Sequence, residues 1–401
     1  MFQKEQSHYK NPVSTRLSPH LEQDIFKKLK DDFSLGRFSY MGRKEDFILV
    51  FVTMCSSIHA HSNSISMPLG SFIIGETSTG KTELLYSVAK LFPQNCQVNM
   101  STLSSKSFFY HCKENPDYLN GKIILVEELT GIKDESIQYL LRILVTKGKA
   151  LHSTVIRGKA EEIPITGAIS LQSTGLNEDI LRDDTMNRLF SLYTDSSTKM
   201  TGLVIDHIKD RYCRKFSKST DDYFIDYHKY FKSLKPFKVD IPYVRRIKFD
   251  TSTPDCRRKA KIFLDMLATV TIMNQHVRHV EDGMLVATES DFYSLHELLK
   301  KVKPIATKRL NLKEQTVLDT IEQIENHECI TYEDILNKKP SPPNGKPYDR
   351  TTVSLAMKGL KEKRLVESSK DGRSTIFSYL GSRSKATFGV LGLDIAYAHP
   401  N

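Results

Sequence analysis

An α/β fold organised around a phosphate-binding loop is predicted by three observations. Gly75-Glu76-Thr77-Ser78-Thr79-Gly80-Lys81-Thr82 fits G-x-x-x-x-G-K-[ST] and lies between an apolar run, Ser71-Phe72-Ile73-Ile74, and a helix-like stretch from Glu83 to Leu91. Lys122-Ile123-Ile124-Leu125-Val126-Glu127-Glu128 reads as a buried strand ending in two carboxylates, which stand some forty-five residues after Thr82. A further apolar run, Ala168-Ile-Ser-Leu-Gln-Ser-Thr174, ends in polar groups. The loop spacing has a physical reason. Its glycines let the backbone curl so that successive N–H groups point at phosphate oxygens, at the positive end of the helix that follows. In that setting Lys81 reaches the β- and γ-phosphates of ATP, and Thr82 ligates Mg²⁺.

The chain has 401 residues, 39% hydrophobic and 26% charged, enough for two or three domains and a substantial core. Its longest apolar run, Phe47 to Cys55, is too short to span a bilayer, and the polar N-terminus lacks a signal-peptide pattern, so a cytoplasmic protein is expected. Six cysteines (55, 96, 112, 213, 256 and 329) show no C-x-x-C pair, and neither His59 and His61 nor His111-Cys112 has partners at metal-ligand spacing. Reduced, mostly buried thiols are expected. A net charge of +10 would attract a polyanion, although many basic proteins bind no nucleic acid.

In chain order, residues 1–16 read as a loose arm. Ser18-Pro19 is a good helix start, and Leu21, Ile25 and Leu29 carry a helix to about Asp32. Gly36 and Gly42 punctuate a turn before an apolar helix, Arg43 to His59, expected beside the nucleotide-binding sheet. After the loop helix come a short strand, Cys96 to Met100, and a helix, Ser104 to His111. At the end of the next strand, the first acid of a loop-type ATPase helps to hold Mg²⁺ and the second polarises the attacking water, roles that Glu127 and Glu128 fit. The usual first acid is Asp, so Glu127 is a departure with a longer reach. Asp134 to Val145 is a helix with Ile137, Leu140, Leu141 and Leu144 on one face. Lys149 to Ile156 and Ala160 to Ile165 form a hairpin turning through Arg157-Gly158-Lys159, expected to point away from the sheet. Its two cations would either grip a phosphodiester backbone or remain as solvated charges. On the strand that follows, Thr174 is the chosen γ-phosphate sensor, with Ser173 and Asn177 behind it. Arg188, in Asn187-Arg188-Leu-Phe-Ser-Leu-Tyr193, precedes a strand where an arginine finger for a neighbouring subunit would stand. A structural salt bridge competes with that reading, and Arg182 is the alternative finger.

These residues, in this order, resemble the AAA+ ATPases, and more narrowly the minichromosome-maintenance-like and superfamily 3-like helicase modules of plasmids, phages and other mobile elements. The resemblance spans about residues 25 to 310. It takes in the later stretches Arg257-Arg258-Lys-Ala-Lys-Ile-Phe-Leu-Asp-Met-Leu, Met273 to Arg278 and Leu285 to Phe292. The resemblance implies a three-layer AAA+ P-loop ATPase core with a helical lid and a hexameric ring with ATP at its subunit interfaces. It also implies single-stranded DNA in a central channel, touched by Arg157 and Lys159. Arg257 or Arg258 would be a second sensor at the start of the lid. Many relatives carry a primase half with a zinc ribbon. With no such cysteine pattern and about seventy residues before the loop, primer synthesis is not expected of this chain; if priming is needed, a separate primase or initiator would be the partner.

Residues 199–216 and 222–235 read as charged helices, and 236–254 as a mixed linker with Arg245-Arg246. Lys261 to Val277 is the expected lid helix, packed through Ile262, Phe263, Met266, Leu267, Val270, Met273 and Val277. Past Pro304 a separate module follows. It comprises helices at Leu312 to Asn326 and Thr331 to Asn337, a third capped by Asp349, and a hairpin around Asp371-Gly372. Three helices and a hairpin make a winged helix. Its third helix would offer Arg350, Thr351, Thr352, Ser354 and Lys358 to duplex DNA, with Lys370 and Arg373 on the wing. Such modules also bind proteins. The expected domains are 1–42, 43–235 (the ATPase core), 236–310 (the lid), 311–381 and a tail, 382–401. Together these features predict a ring-forming, DNA-dependent ATPase that translocates on or unwinds DNA. An ATP-switched DNA-binding initiator and a protein-remodelling ATPase are the alternatives.

Overall fold

The computed structural model describes residues 24–397 apart from 63, 101–104, 129–134, 157–158, 177–187, 213–221, 250, 252–255, 303–311, 322, 325–328, 342–344, 363–365, 372–373, 380–386 and 389–392. The chain divides into two compact units. One is Met1–Tyr243 with Lys261–Leu298, and the other is Val244–Ala260 with Leu299–Asn401.

The first unit opens with α1 (Ile25–Ser34), where the Asp24 carboxylate accepts the Lys27 N–H at 3.0 Å. The start expected at Ser18-Pro19 lies outside the described residues. Buried Asp32 takes Arg37 Nη1 at 2.9 Å and the Tyr227 hydroxyl at 2.8 Å, which ties the turn after α1 to a distant helix. Helix α2 (Lys44–Cys55) is buried continuously from Asp46 to Cys55, as a helix apolar on all sides must be. It packs on the sheet as expected, for Thr53 donates to Gln172 Oε1 at 3.2 Å and Ser170 Oγ donates to the Thr53 carbonyl at 2.9 Å.

The chain then runs through β1 (Gly70–Ile74), α3 (Lys81–Ala89), β2 (Gln97–Asn99), α4 (Ser105–Glu114), β3 (Ile123–Val126) and α5 (Glu135–Lys147). The hairpin strands β4 (Lys149–Ile156) and β5 (Lys159–Thr166) precede β6 (Ser170–Gly175) and β7 (Leu189–Tyr193). Five of these strands form a sheet in the order β2-β3-β6-β1-β7, and every neighbouring pair is parallel. Parallel pairing needs crossovers, which the helices supply, and it brings the carboxyl ends of all five strands to one edge. On the core side Phe72, Ile74, Ile124, Val126 and Leu171 meet Phe108, Leu140, Leu141 and Leu144.

The hairpin is held to α4. Phe109 stacks on His152 with ring centroids 3.8 Å apart, Lys113 Nζ meets Glu161 Oε2 at 2.5 Å, and Ile163 and Ile165 enter the same core. Lys159, expected in the turn, instead opens β5 opposite Ile156, because strand pairing extends one residue further; only its strand position is described. Arg157 and Gly158 lie outside the described residues.

Helices α6 (Thr198–Tyr212) and α7 (Asp222–Ser233) follow, then β8 (Lys238–Asp240). The rest of this unit is α8 (Cys256–Met273) from Lys261 onward, β10 (Val280–Glu281), β11 (Met284–Val286) and most of α9 (Glu289–Lys301). The stripe expected on α8 is buried from Ile262 to Met273. Val277 is not part of it. The helix ends at Met273, a tight turn takes over, and Val277 is 49% exposed. Two buried bonds fasten α8 within the unit, Tyr230 OH to the Met273 carbonyl at 2.5 Å and His59 Nε2 to Thr269 Oγ1 at 3.0 Å.

The second unit begins with β9 (Ile247–Phe249), so the stretch expected as a linker contributes a strand to each unit. Helices α10 (Leu312–Ile321), α11 (Tyr332–Asn337) and α12 (Arg350–Glu362) precede an antiparallel hairpin, β12 (Val366–Asp371) and β13 (Ser374–Tyr379). Their shared core holds Val317, Ile321, Ile335, Val353, Ala356, Met357, Leu360 and Phe377. Ile330 bridges to Phe377, adding a short third strand position. Thr331 and Asp334 form a reciprocal capping box on α11. The residues after Gly381 differ from the expected tail. β15 (Leu393–Tyr397) pairs antiparallel with β14 (Thr387–Phe388) on one side and β9 on the other. Leu393, Ile395 and Tyr397 recur at strand spacing, and β9 offers an edge to be covered. Among the described cysteines Cys55, Cys112 and Cys256 are buried and all are free thiols.

Candidate nucleotide site

The glycine-rich loop leaves the carboxyl end of β1 and enters α3 at Lys81. Gly80, with φ +82°, occupies the position before the helix, and Ser78 also has a left-handed backbone, with φ +66°. Gly75 donates its N–H to the Gly175 carbonyl at 3.2 Å, which ties the loop's first residue to β6. A Cβ at Gly75 would run into Thr194 Oγ1 and Thr79 Oγ1. Glu76, Thr77, Ser78 and Thr82 are exposed, so the loop faces solvent with the first N–H groups of α3 open to an anion. Lys81 Nζ folds over the loop and donates to the Gly75 carbonyl at 2.9 Å and the Glu76 carbonyl at 2.6 Å. Partial burial lowers the Lys81 pKa, and the charge of Glu128 acts in the opposite sense.

Glu127 and Glu128 follow the last residue of β3, at the same sheet edge as the loop. β6 lies between β1 and β3, so the loop strand and the acid strand stand about 10 Å apart, twice the strand spacing. That gap matches a terminal phosphate with a water behind it. The strand in the gap carries Thr174, 4% exposed, whose hydroxyl donates to the Glu127 carbonyl. The Glu127 carboxylate is held as well, accepting from the Tyr86 hydroxyl at 2.8 Å. The structure thus assembles Lys81, Thr174, Glu127 and Glu128 from three segments distant in sequence. Ser173 is buried, with no partner for its hydroxyl among the described residues, and Asn177 lies outside them.

A threonine hydroxyl and a single carboxylate are a fitting donor set for Mg²⁺, which keeps several waters and takes the rest of its ligands from substrate phosphates. Among the described residues no group of three or more His, Cys, Asp or Glu is placed to hold a metal ion.

Arg188 stands immediately before β7 and donates to Thr146 Oγ1 on α5. Leu189 lies beside Gly70 and Tyr193 beside Ile74, so Arg188 is at the opposite sheet edge, roughly 17 Å from the loop end by strand rise. It does not join the cluster of its own chain. Arg182 lies outside the described residues. Arg257 and Arg258 are exposed in the first turn of α8, in the stretch that packs with the second unit.

Several residues around the loop carry no recognisable sequence signal. Thr194, just past β7, donates its N–H to the Ile74 carbonyl at 2.9 Å and pairs its hydroxyl with Thr79 Oγ1 at 2.7 Å, bracing the loop. Arg43 donates to the Tyr193 carbonyl at 2.7 Å and to Asp46 Oδ2 at 3.0 Å. Burial pushes the Asp46 carboxyl up to about 7, against the opposing charge of Arg43. No local pattern marks the contacts of Thr194 or that of Arg43 with Tyr193, because each joins segments more than a hundred residues apart.

In the second unit Asp349 Oδ1 accepts the Thr352 N–H at 2.9 Å and caps α12 as expected. Arg350 lies over the Tyr332 ring, 5.9 Å from its centroid. Thr351, Ser354 and Lys358 are exposed and Thr352 is half-buried. Arg373 lies outside the described residues, and of Lys370 only the strand position is described.

Residues 42–233 match the family model described as the MTBMA_p00010 P-loop domain. No curated protein matches the chain. The match and the parallel sheet agree on an α/β P-loop domain, which supports a nucleotide-binding NTPase. No helix among the described residues is long and apolar enough to cross a membrane.

Proposed function

We propose that this protein is a ring-forming AAA+ ATPase that moves along or unwinds DNA in the replication of a mobile element, with a helical lid and a C-terminal winged helix. The observation that carries the hydrolytic part is the insertion of β6 between β1 and β3, with Thr174 bonded to Glu127. That order leaves room for a reacting phosphate between Lys81 and Glu128. The α3 N-terminus and Lys81 bind the ATP phosphates, and Thr82 and Glu127 hold Mg²⁺, directly or through water. Bound there, the ion neutralises charge on the phosphate oxygens. Glu128 orients the attacking water and takes its proton, and Thr174 reads the terminal phosphate. Arg257 or Arg258 is the second sensor.

Arg188 supports assembly, since its distance from its own loop suits it to a neighbour's nucleotide. Helix α6 supports it too. Ile205, Ile208 and Tyr212 fall on one face of that helix by their spacing and are 47–88% exposed, an apolar stripe unusual for a chain that stays alone. A hexamer meets both, with single-stranded DNA in the channel against Arg157 and Lys159. The net charge of +10 and the exposed Arg350, Thr351 and Lys358 suit duplex DNA at the winged helix. The test is ATP turnover with and without single-stranded DNA. Stimulation by DNA is expected, and robust unstimulated hydrolysis with no DNA binding would refute the reading. A second reading, a winged helix that docks on a protein such as a separate primase or initiator, is favoured by Leu355, 64% exposed on α12. Stimulation by a protein partner but not by DNA would select it.

A further inference from the structure

The reading above gives Glu127 a place where the usual residue is the shorter aspartate, and the structure contains a device that fits that difference. Tyr86 lies on α3 four residues beyond Thr82, hence on the same helix face and about 6 Å further along the axis. Its hydroxyl donates to Glu127 Oε1 at 2.8 Å and accepts from Asn99 Nδ2, on β2, at 3.0 Å. The Asn99 bond occupies a lone pair of the phenol oxygen and so turns the phenol proton toward the carboxylate. The peptide of Glu127 is fixed separately, because its carbonyl accepts the Thr174 hydroxyl. One residue is therefore gripped twice, at its backbone from β6 and at its carboxylate from the loop helix.

We propose that Tyr86, backed by Asn99, is a positioning residue that fixes the longer Glu127 side chain on the Thr82 face of α3 so that it serves the Mg²⁺ of the bound nucleotide. The inference rests on the nucleotide site proposed above. A free glutamate carries one more rotatable bond than aspartate and loses more side-chain entropy when it is immobilised. The tether removes that freedom before the nucleotide arrives. Hydrogen-bonded partners of metal-binding carboxylates commonly change metal affinity by about ten- to a hundredfold. An aspartate at this position would be one methylene too short to meet the phenol, so the tether and the longer acid belong together.

The test is a double-mutant cycle on the full chain with Tyr86→Phe and Glu127→Asp, read by titrating a fluorescent, slowly hydrolysed ATP analogue in EDTA and over a range of Mg²⁺ concentrations. Tyr86→Phe is expected to raise the Mg²⁺ needed for half-maximal tight binding about tenfold, leaving affinity in EDTA and thermal stability unchanged. In the Glu127→Asp background the same change should alter the Mg²⁺ requirement by less than about twofold. Equal effects in both backgrounds, no effect in either, or an equal loss of affinity in EDTA would overturn the proposal. ATP turnover by the wild type is read alongside. Its absence, with the coupling intact in the binding assay, would sink the hydrolytic reading alone and still support the tether.

Discussion

Gly75 and Glu128 make the sharpest residue-scale claims. Because a side chain at Gly75 would meet Thr194 and Thr79, Gly75→Ala should displace the loop and reduce ATP affinity by at least about tenfold, measurable by calorimetric titration. Glu128→Gln should keep the nucleotide, since the amide preserves shape and Lys81 still meets the phosphates. Turnover should fall by about a hundredfold or more through loss of the base. Equal hydrolysis by wild type and Glu128→Gln would remove the base assignment. Gly75 was legible from a motif with a fixed spacing, and Glu128 from its place at the end of a buried apolar run. Tyr86, Thr194 and Arg43 were not, for each acts through a partner brought near only by the sheet. The placement of Lys159 was misread by one residue because a two-residue and a three-residue turn look alike in a run that contains one glycine.

At the scale of elements, the strands and helices of the nucleotide-binding core were readable from apolar runs and punctuation, but the order of the strands was not. Periodicity says that a strand is buried on both faces, and nothing in it says which neighbours it has. The terminal strand β15 was missed for a related reason. Its five residues form a strand beside β9, nearly 150 residues earlier, and composition alone suggests a tail. The fastening of α8 yields a pH prediction. His59 is 2% exposed, and burial, with Lys261 adding to it, lowers its pKa to about 4 from an ordinary 6.5. The folded pKa is depressed, so below about pH 6.5 the unfolded chain takes up a proton that the folded chain refuses. The stability linked to His59 is therefore full above that pH and is lost as pH falls toward 4, by up to about 3 kcal/mol. Asp46 and Asp265, pushed up to about 7 and about 6 by burial, titrate in the opposite sense, so a comparison with His59→Gln isolates the histidine. Urea unfolding at about pH 7.5 and about pH 5 should show wild type losing stability relative to His59→Gln as the pH drops. A pH-independent difference would contradict this.

At the scale of the whole molecule, the proposed assembly makes each nucleotide site a product of two chains, since Arg188 stands at the far edge of the sheet from its own loop. Arg188→Ala and Lys81→Ala should each abolish turnover alone. Mixing them should restore a fraction of it, because an intact loop on one subunit then meets an intact finger on the next. Failure of the mixture to recover any activity, with assembly confirmed by sedimentation, would return Arg188 to a structural role. Lys159→Ala should keep basal hydrolysis but lose movement on DNA. The most direct measurement of the central claim is strand displacement on a forked duplex, followed together with ATP turnover. The account predicts that wild type separates the strands only while ATP is hydrolysed and that Glu128→Gln binds the fork without opening it. ATP consumed at full rate in the presence of DNA, with the duplex left intact, would contradict it.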